Sequence, residues 1–415
     1  VSAISSRDEW RAGWPVVIAA AIGVGVGLSS LWTFSFGVLV KPMIATLGWT
    51  RGQATGSHLC IALATMLGAP LVGVAVDRFG PRRVALWGIP VAALGYASLA
   101  TIGRGLIAFY ALSFVVGVLA VATGPIVWTR VVSGWFTINR GFALACTLVG
   151  TGLFALLGPP AVTWLVARAG WREAFVALAA LMASSWISTY FWLRERPLSS
   201  SLATSMAFGL TLRQALRARR FWVIAAGLLL ASVGSTAMVA HLVPMLTDRG
   251  VSPKGAAWVL STLGLAVVTG RLLAGRCLDR FPTGWVCAVL MVGAACGCAL
   301  MLNFDGVHLE IPVAAAILVG LAAGGEIDLI AFLAAKYFGL SAYGRIAGVL
   351  YACFALGAGS APVLAGVLFD RYGNYQRALE VVAVAFAASA VLLGSLGGHV
   401  SRAARGAVEA GAPPA

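Results

Sequence analysis

Four ionisable side chains fall inside long apolar runs of this 415-residue sequence: Arg130, Arg271, Glu326 and Asp328. A guanidinium stays charged and presents a planar fork of donors that matches a carboxylate, so Arg271 and Arg130 are candidate contacts for an organic anion. A carboxylic acid in an apolar cavity favours its neutral form and can take up and release a proton, which makes Glu326 and Asp328 candidate proton carriers. The two acids stand two positions apart, and such positions do not share a helix face. One can face a cavity while the other pairs sideways with an arginine. The competing reading is a permanent ion pair between Arg271 and one of these acids, with no further role. Arg130 closes the run Gly124-Pro125-Ile126-Val127-Trp128-Thr129-Arg130. It can be a second anion contact, a gate that pairs with an acid, or a side chain that snorkels to an interface. His241, followed by Leu242-Val243-Pro244, titrates near neutral pH and can bind a solute or relay protons; a satisfied interior histidine fits equally well. His58 is a weaker candidate near the end of its run.

The elements that must position these groups are membrane helices. The chain is 60% hydrophobic and only 10% charged, against about 25% charged residues in a soluble domain. Apolar runs lie near 15–40, 56–76, 83–103, 106–130, 142–166 and 173–193, and then near 221–247, 255–278, 283–303, 311–335, 346–369 and 378–397. Each approaches the roughly 20 residues that a helix needs to cross a bilayer, so the expectation is an all-α membrane protein of twelve transmembrane helices. The first run is too long for a signal-peptide core and is expected to be retained. The 50 glycines lie inside the runs as well as between them, as close helix packing in lipid requires. Seven cysteines show no ligand spacing with histidine and read as small packing residues, with no metal expected.

The net charge of +15 has a topological explanation that excludes nucleic acid as a partner. With both termini inside, the inner loops hold 18 Lys and Arg and the outer loops 9, the bias of the positive-inside rule. Both ends are therefore expected in the cytoplasm, with the chain in the inner (plasma) membrane. No Walker loop and no dinucleotide fingerprint occur, so neither a cofactor nor an enzyme is expected.

The chain repeats itself. Gly73-x3-Asp77-Arg78-Phe79-Gly80-Pro81-Arg82-Arg83 follows the second run, and Gly275-x3-Asp279-Arg280-Phe281 follows the eighth, 202 residues later. Trp135-Phe136 and Tyr337-Phe338 are again 202 apart. The polar stretch from Arg194 to Arg220 divides six runs from six, and its basic segment Thr211 to Arg220 suits a lipid surface. The expected plan is a six-helix bundle over 1–193, a cytoplasmic linker over 194–220, a second bundle over 221–400 and a tail over 401–415. Parallel repeats of this kind build one class of transporter. The repeated loop has a gating rationale. Gly73 and Gly80 allow close approach and a turn, while Asp77, Arg78, Arg82, Arg83, Asp279 and Arg280 can latch one end of the bundle through charge pairs and helix ends. Topological anchoring alone is the alternative.

The loop from Gly73 to Arg83 resembles the signature of the major facilitator superfamily, and the 6+6 plan covers the chain. Asp8-Glu9-Trp10-Arg11-Ala12-Gly13-Trp14, Phe36-Gly37-Val38-Leu39-Val40-Lys41-Pro42 with Gly48-Trp49-Thr50-Arg51, and Trp135-Phe136-x3-Arg140-Gly141-x-Ala143 are similar to stretches of the monocarboxylate transporter family. That resemblance implies a substrate-anchoring arginine in the eighth span, matched by Arg271. Animal-type members carry an aspartate where this chain has Val267 and a lysine where it has Phe34. Proton coupling has therefore either moved to the tenth span or is absent; the acid pair Glu326 and Asp328 resembles the bacterial branch and favours the first. The resulting expectation is a monomeric secondary transporter of short monocarboxylates with proton symport by alternating access. Dicarboxylate or anion exchange, multidrug export and a non-transporting solute receptor are the alternatives.

Overall fold

A computed structural model describes residues 6–136, 140–195, 209–339 and 342–396, and nearly all of them are helical. Residues 196–208 of the expected linker and all of the expected tail lie outside the described residues, as do the side chains of Asp77, Asp279 and Asp328.

The first half comprises α1 (Ser6–Gly25), α2 (Leu28–Leu47), α3 (Arg51–Phe79), α4 (Pro81–Ser98), α5 (Leu106–Ala120), α6 (Pro125–Trp135), α7 (Arg140–Ala169) and α8 (Trp171–Trp192). After the short α9 (Leu212–Arg217) come α10 (Arg219–Asp248), α11 (Pro253–Arg280), α12 (Thr283–Leu302), α13 (Glu310–Phe338), α14 (Tyr343–Tyr372) and α15 (Gln376–Gly394). Among the described residues, eleven helical stretches are long and apolar enough to cross a membrane, with α1–α2 and α5–α6 each forming one stretch. The remaining expected span, α3, has 29 residues and so a length of about 43 Å.

The first and fourth spans are broken, which periodicity did not foretell. Instead of one helix over 15–40, the first span runs from Ser6 to Leu47 and parts at Val26-Gly27, where Gly27 is extended at φ −71° and ψ 163°. The fourth span parts at Val121–Thr123, a single 3₁₀ turn, before Pro125 restarts it at the first helical position, where a missing N–H costs nothing. The two breaks meet. Thr123 Oγ1 accepts the Leu28 N–H at 3.3 Å, and the Trp128 indole donates to the Thr123 carbonyl at 3.0 Å. Broken helices at mid-membrane expose backbone groups where a solute can reach them.

Glycine sets the closeness of α1 and α7. A Cβ on Gly150 would collide with the carbonyl oxygen of Ala21, and one on Gly25 would lie 2.7 Å from the carbonyl oxygen of Gly150. Backbone on both sides leaves nothing flexible to yield. Gly150→Val is therefore expected to cost at least about 1–3 kcal/mol. It should appear as a lower thermal midpoint and poorer recovery in detergent. Gly103→Ala, whose Cβ would meet nothing within 4 Å, serves as the neutral control. A Gly150→Val protein as stable as the parent would refute this account of the contact.

The halves meet through α2 against α10, α3 against α14 and α7 against α11. The last two contacts exchange under the repeat, since α3 and α11 correspond, as do α7 and α14. The pairing of α3 with α14 is tight at one end. Gly366 there lies 2.8 Å from the Gly52 backbone, measured from a would-be Cβ, and Gly359 presses on the Ala62 side chain. Eleven residues further along each helix, Gly73 and Gly348 have nothing within 4 Å. The two helices thus diverge toward the end that carries Ser6, and the bundle is closed at the far end.

Candidate functional site

A cavity of about 260 Å³ lies between the halves. One water claims about 30 Å³ in the liquid, so there is room for a small organic solute with several waters. The first half contributes the start of α2 (Ser29, Trp32, Thr33), His58 of α3 and Thr151 of α7; the second contributes Ser235, Arg271, Glu326 and Tyr351.

Close helix crossings place the charged groups. Gly152 faces Val268 and Gly264 faces the Ala155 backbone, which brings α11 against α7. Arg271 of α11, 9% exposed, can therefore reach across the interface. Its Nη1 donates to the Leu148 carbonyl at 2.8 Å and to Thr151 Oγ1 at 3.4 Å. These bonds hold the guanidinium at the cavity wall. On the next helix, Gly320 and Gly324 pack against the Leu263 and Val267 carbonyls, which sets α13 beside α11. Glu326, 2% exposed, then faces the cavity. Its Oε2 accepts from Ser235 Oγ at 2.7 Å, and its Oε1 has no partner. Among the described residues Glu326 forms no ion pair with Arg271, which disfavours the reading of a permanent bridge between those two. Asp328 remains outside that comparison, because its side chain is not described.

Arg130 stands exposed on α6, away from the cavity wall. His241 also lies off the wall. It is 1% exposed, with Nδ1 2.9 Å from the Tyr375 hydroxyl and Nε2 2.8 Å from the Pro362 carbonyl. A carbonyl can only accept, so Nε2 carries the hydrogen and Nδ1 receives the Tyr375 proton.

His241 ends a polar cluster that closes the far end of the bundle. Asp248, at the end of α10, accepts from Arg51 Nη1 at 2.5 Å and Nη2 at 2.9 Å, and pairs with Lys41 Nζ at 2.6 Å. Arg51 Nη1 also donates to the Tyr375 hydroxyl at 2.6 Å, and its guanidinium carbon stands 3.7 Å from the Phe369 ring centroid. Asp370 caps the start of α3, taking the backbone N–H of Arg51 at 3.0 Å and of Gly52 at 2.8 Å. Anionic groups are favoured at such a helix start. Every one of these bonds joins one half to the other. Sequence reasoning counted Lys41 and Arg51 as loop charges and passed over Asp248 and Asp370. The signal that could have found them is the clustering of both signs at the expected outer span ends.

The repeated loop sits at the opposite end. Gly80 adopts φ 84° between α3 and α4, a left-handed turn that favours glycine. Glu195 caps the turn by accepting the Arg82 N–H at 2.6 Å, and Arg82 Nη2 donates to the Tyr190 carbonyl at 2.9 Å. Arg78, Arg83 and Arg280 are exposed. Among the described residues, no three His, Cys, Asp or Glu side chains gather as a metal site.

The profile of the Major Facilitator Superfamily matches residues 21–308 and again 232–413. Monocarboxylate transporter 11 of Homo sapiens is 29% identical over 383 residues, covering 88% of this chain and 79% of that protein. Monocarboxylate transporter 13 of Rattus norvegicus is 27% identical over 397 residues, covering 92% and 88%. A crystal structure of the nucleoside transporter NupG superposes with a TM-score of 0.71 at 14% identity, over 92% of this chain and 98% of that one. At that identity the likeness shows the fold alone. Two six-span halves, a cavity between them and a profile match across most of the chain agree: this protein belongs to the major facilitator superfamily.

Proposed function

We propose that the protein is a secondary transporter of short monocarboxylates, coupled to protons and working by alternating access. Its membrane-transport character follows from its family. The observation that carries the substrate class is Arg271, a guanidinium held at the wall of a cavity that both halves enclose. The similar monocarboxylate transporters support the same class. Glu326, buried on the same wall, is the proton carrier in this reading, with Asp328 as the second acid.

In this proposal both termini are cytoplasmic, the chain sits in the inner (plasma) membrane as a monomer, and the bundles occupy 1–193 and 221–400. The cluster around Asp248 then seals the outside while the cavity opens inward. Alternation breaks that seal and closes the inner end. Continuing the register of α3 against α14 would bring Gly73 to Gly348, where two glycines permit backbone contact. Arg78, Arg82, Arg83, Asp77, Asp279 and Arg280 surround that closure and serve as its gate.

Thermal-shift measurements on the protein in detergent test the substrate class. A ligand at 100 times its dissociation constant adds about 2.7 kcal/mol, so short carboxylates should raise the midpoint while lipophilic cations and sugars do not. Arg271→Lys keeps the charge and loses the fork. Hydrogen bonds to charged groups contribute about 1.5–3 kcal/mol, so affinity for the stabilising carboxylate should fall about ten- to a hundredfold. Unchanged affinity would remove Arg271 from the site. Stabilisation by cations alone would instead favour export of lipophilic compounds.

A further inference from the structure

The wall facing Arg271 and Glu326 carries an unexplained set of polar atoms. Trp32, on the second turn of α2, is 3% exposed, and its indole Nε1 has no hydrogen-bond partner. His58 of α3 is 6% exposed, and its ring approaches the Thr55 backbone without a well-aligned hydrogen bond. Both side chains line the cavity. They are not loosely placed. The His58 ring stands edge-on to Phe36 at 4.6 Å and 89°, and Trp32 meets His58 edge-on at 5.6 Å. Buried polar groups in folded proteins are almost always satisfied. An unpartnered indole N–H and an imidazole with no well-aligned bond, on two rigid neighbours at a cavity wall, are therefore a site built for a ligand's polar atoms.

The chemistry of that ligand follows from the donors. An indole N–H can only donate, and a neutral imidazole supplies one donor and one acceptor. Two N–H groups and one lone pair suit an oxygen function such as a hydroxyl or an oxo group. They do not suit an alkyl chain, which offers buried polar atoms no hydrogen bond.

We propose that Trp32 and His58 form a second recognition pole, which selects carboxylates bearing a further hydroxyl or oxo oxygen over carboxylates with a plain alkyl tail. The inference rests on the organic-anion reading of Arg271: one half of the protein holds the carboxylate and the other reads the second oxygen. A solute with both groups bridges the halves, and a solute with one does not.

Competition against labelled L-lactate in proteoliposomes tests this, with pyruvate, propionate and isobutyrate as competitors. A site that hydrogen-bonds a substrate oxygen discriminates strongly against the analogue lacking it. Lactate and pyruvate should compete at least about tenfold better than propionate and isobutyrate. In Trp32→Phe and His58→Phe, which keep an aromatic ring at each place, that ratio should collapse toward one while propionate affinity is retained. The ratio is the decisive readout, because a loosened fold would weaken all four competitors together. Equal competition by lactate and propionate in the parent protein overturns the second pole and leaves the anion site standing, as does a ratio unchanged in both variants. Failure of every carboxylate to compete, with Arg271→Lys behaving as the parent, overturns both readings.

Discussion

Glu326→Gln is expected to abolish accumulation of substrate against its gradient while sparing exchange of substrate for substrate. The carboxyl lies at the cavity wall with one hydrogen bond, from Ser235, and one oxygen without a partner. A single hydroxyl is thin replacement for the water that an ionised carboxylate loses on burial. Such a group has reason to change its protonation as the cavity fills and empties. Glutamine keeps the shape and an oxygen to accept from Ser235, so the helix packing should survive. It cannot release a proton. A pH difference of one unit stores about 1.4 kcal/mol per proton, enough for about tenfold accumulation at one proton per substrate. In proteoliposomes with such a gradient the parent should approach that ratio, and Glu326→Gln should stop near one. Counterflow, which needs no net proton movement, should continue at a comparable rate. Asp328→Asn, assayed beside it, assigns the carrier between the two acids. Full accumulation by both variants would place the proton site elsewhere.

The limits of the sequence have physical causes visible in particular residues. The spans were legible because lipid imposes a length and an apolar composition that few other environments do. The break at Gly27 was not, since Val26-Gly27 looks like any small-residue step in an apolar run. Its partner, Thr123, lies 95 residues beyond Leu28. Glu326 was legible as a costly intramembrane charge, but its separation from Arg271 depended on the glycine crossings that set the register of α11 and α13. His241 illustrates the converse. A histidine within a span draws attention as a solute contact, yet its depth and rotation aim it at Tyr375 and Pro362 in the far-end cluster. His58 looked weaker for lying near the end of its run. The partner rings of Phe36 and Trp32, which turn it to the cavity, belong to another helix.

Asp248→Asn is expected to unseal the far end of the bundle. One carboxylate there holds two cations of the opposite half, Lys41 and Arg51, while the guanidinium also bears on Tyr375 and Phe369. Without its charge, two like charges on the same half are left at the seam with no opposing carboxylate, and the bidentate geometry with Arg51 is lost. The cluster is only partly buried, with the Asp248 side chain 27% exposed, so solvent and salt temper the effect. One charge-assisted bond contributes about 1.5–3 kcal/mol, which corresponds to a ten- to hundredfold gain in the population open at that end. Spin labels at residues 45 and 254, one exposed position on each half, in a background lacking the seven native cysteines, would read the change. The parent should give one short distance and Asp248→Asn a second, longer one. Asp248→Glu, which retains the charge, should restore much of the short distance. High ionic strength should move the parent in the direction of the asparagine variant, because the pairs that close this end are electrostatic and reachable by ions. Distributions that superimpose for parent and Asp248→Asn would show that glycine packing of α3 on α14, not the charge cluster, holds the halves together there.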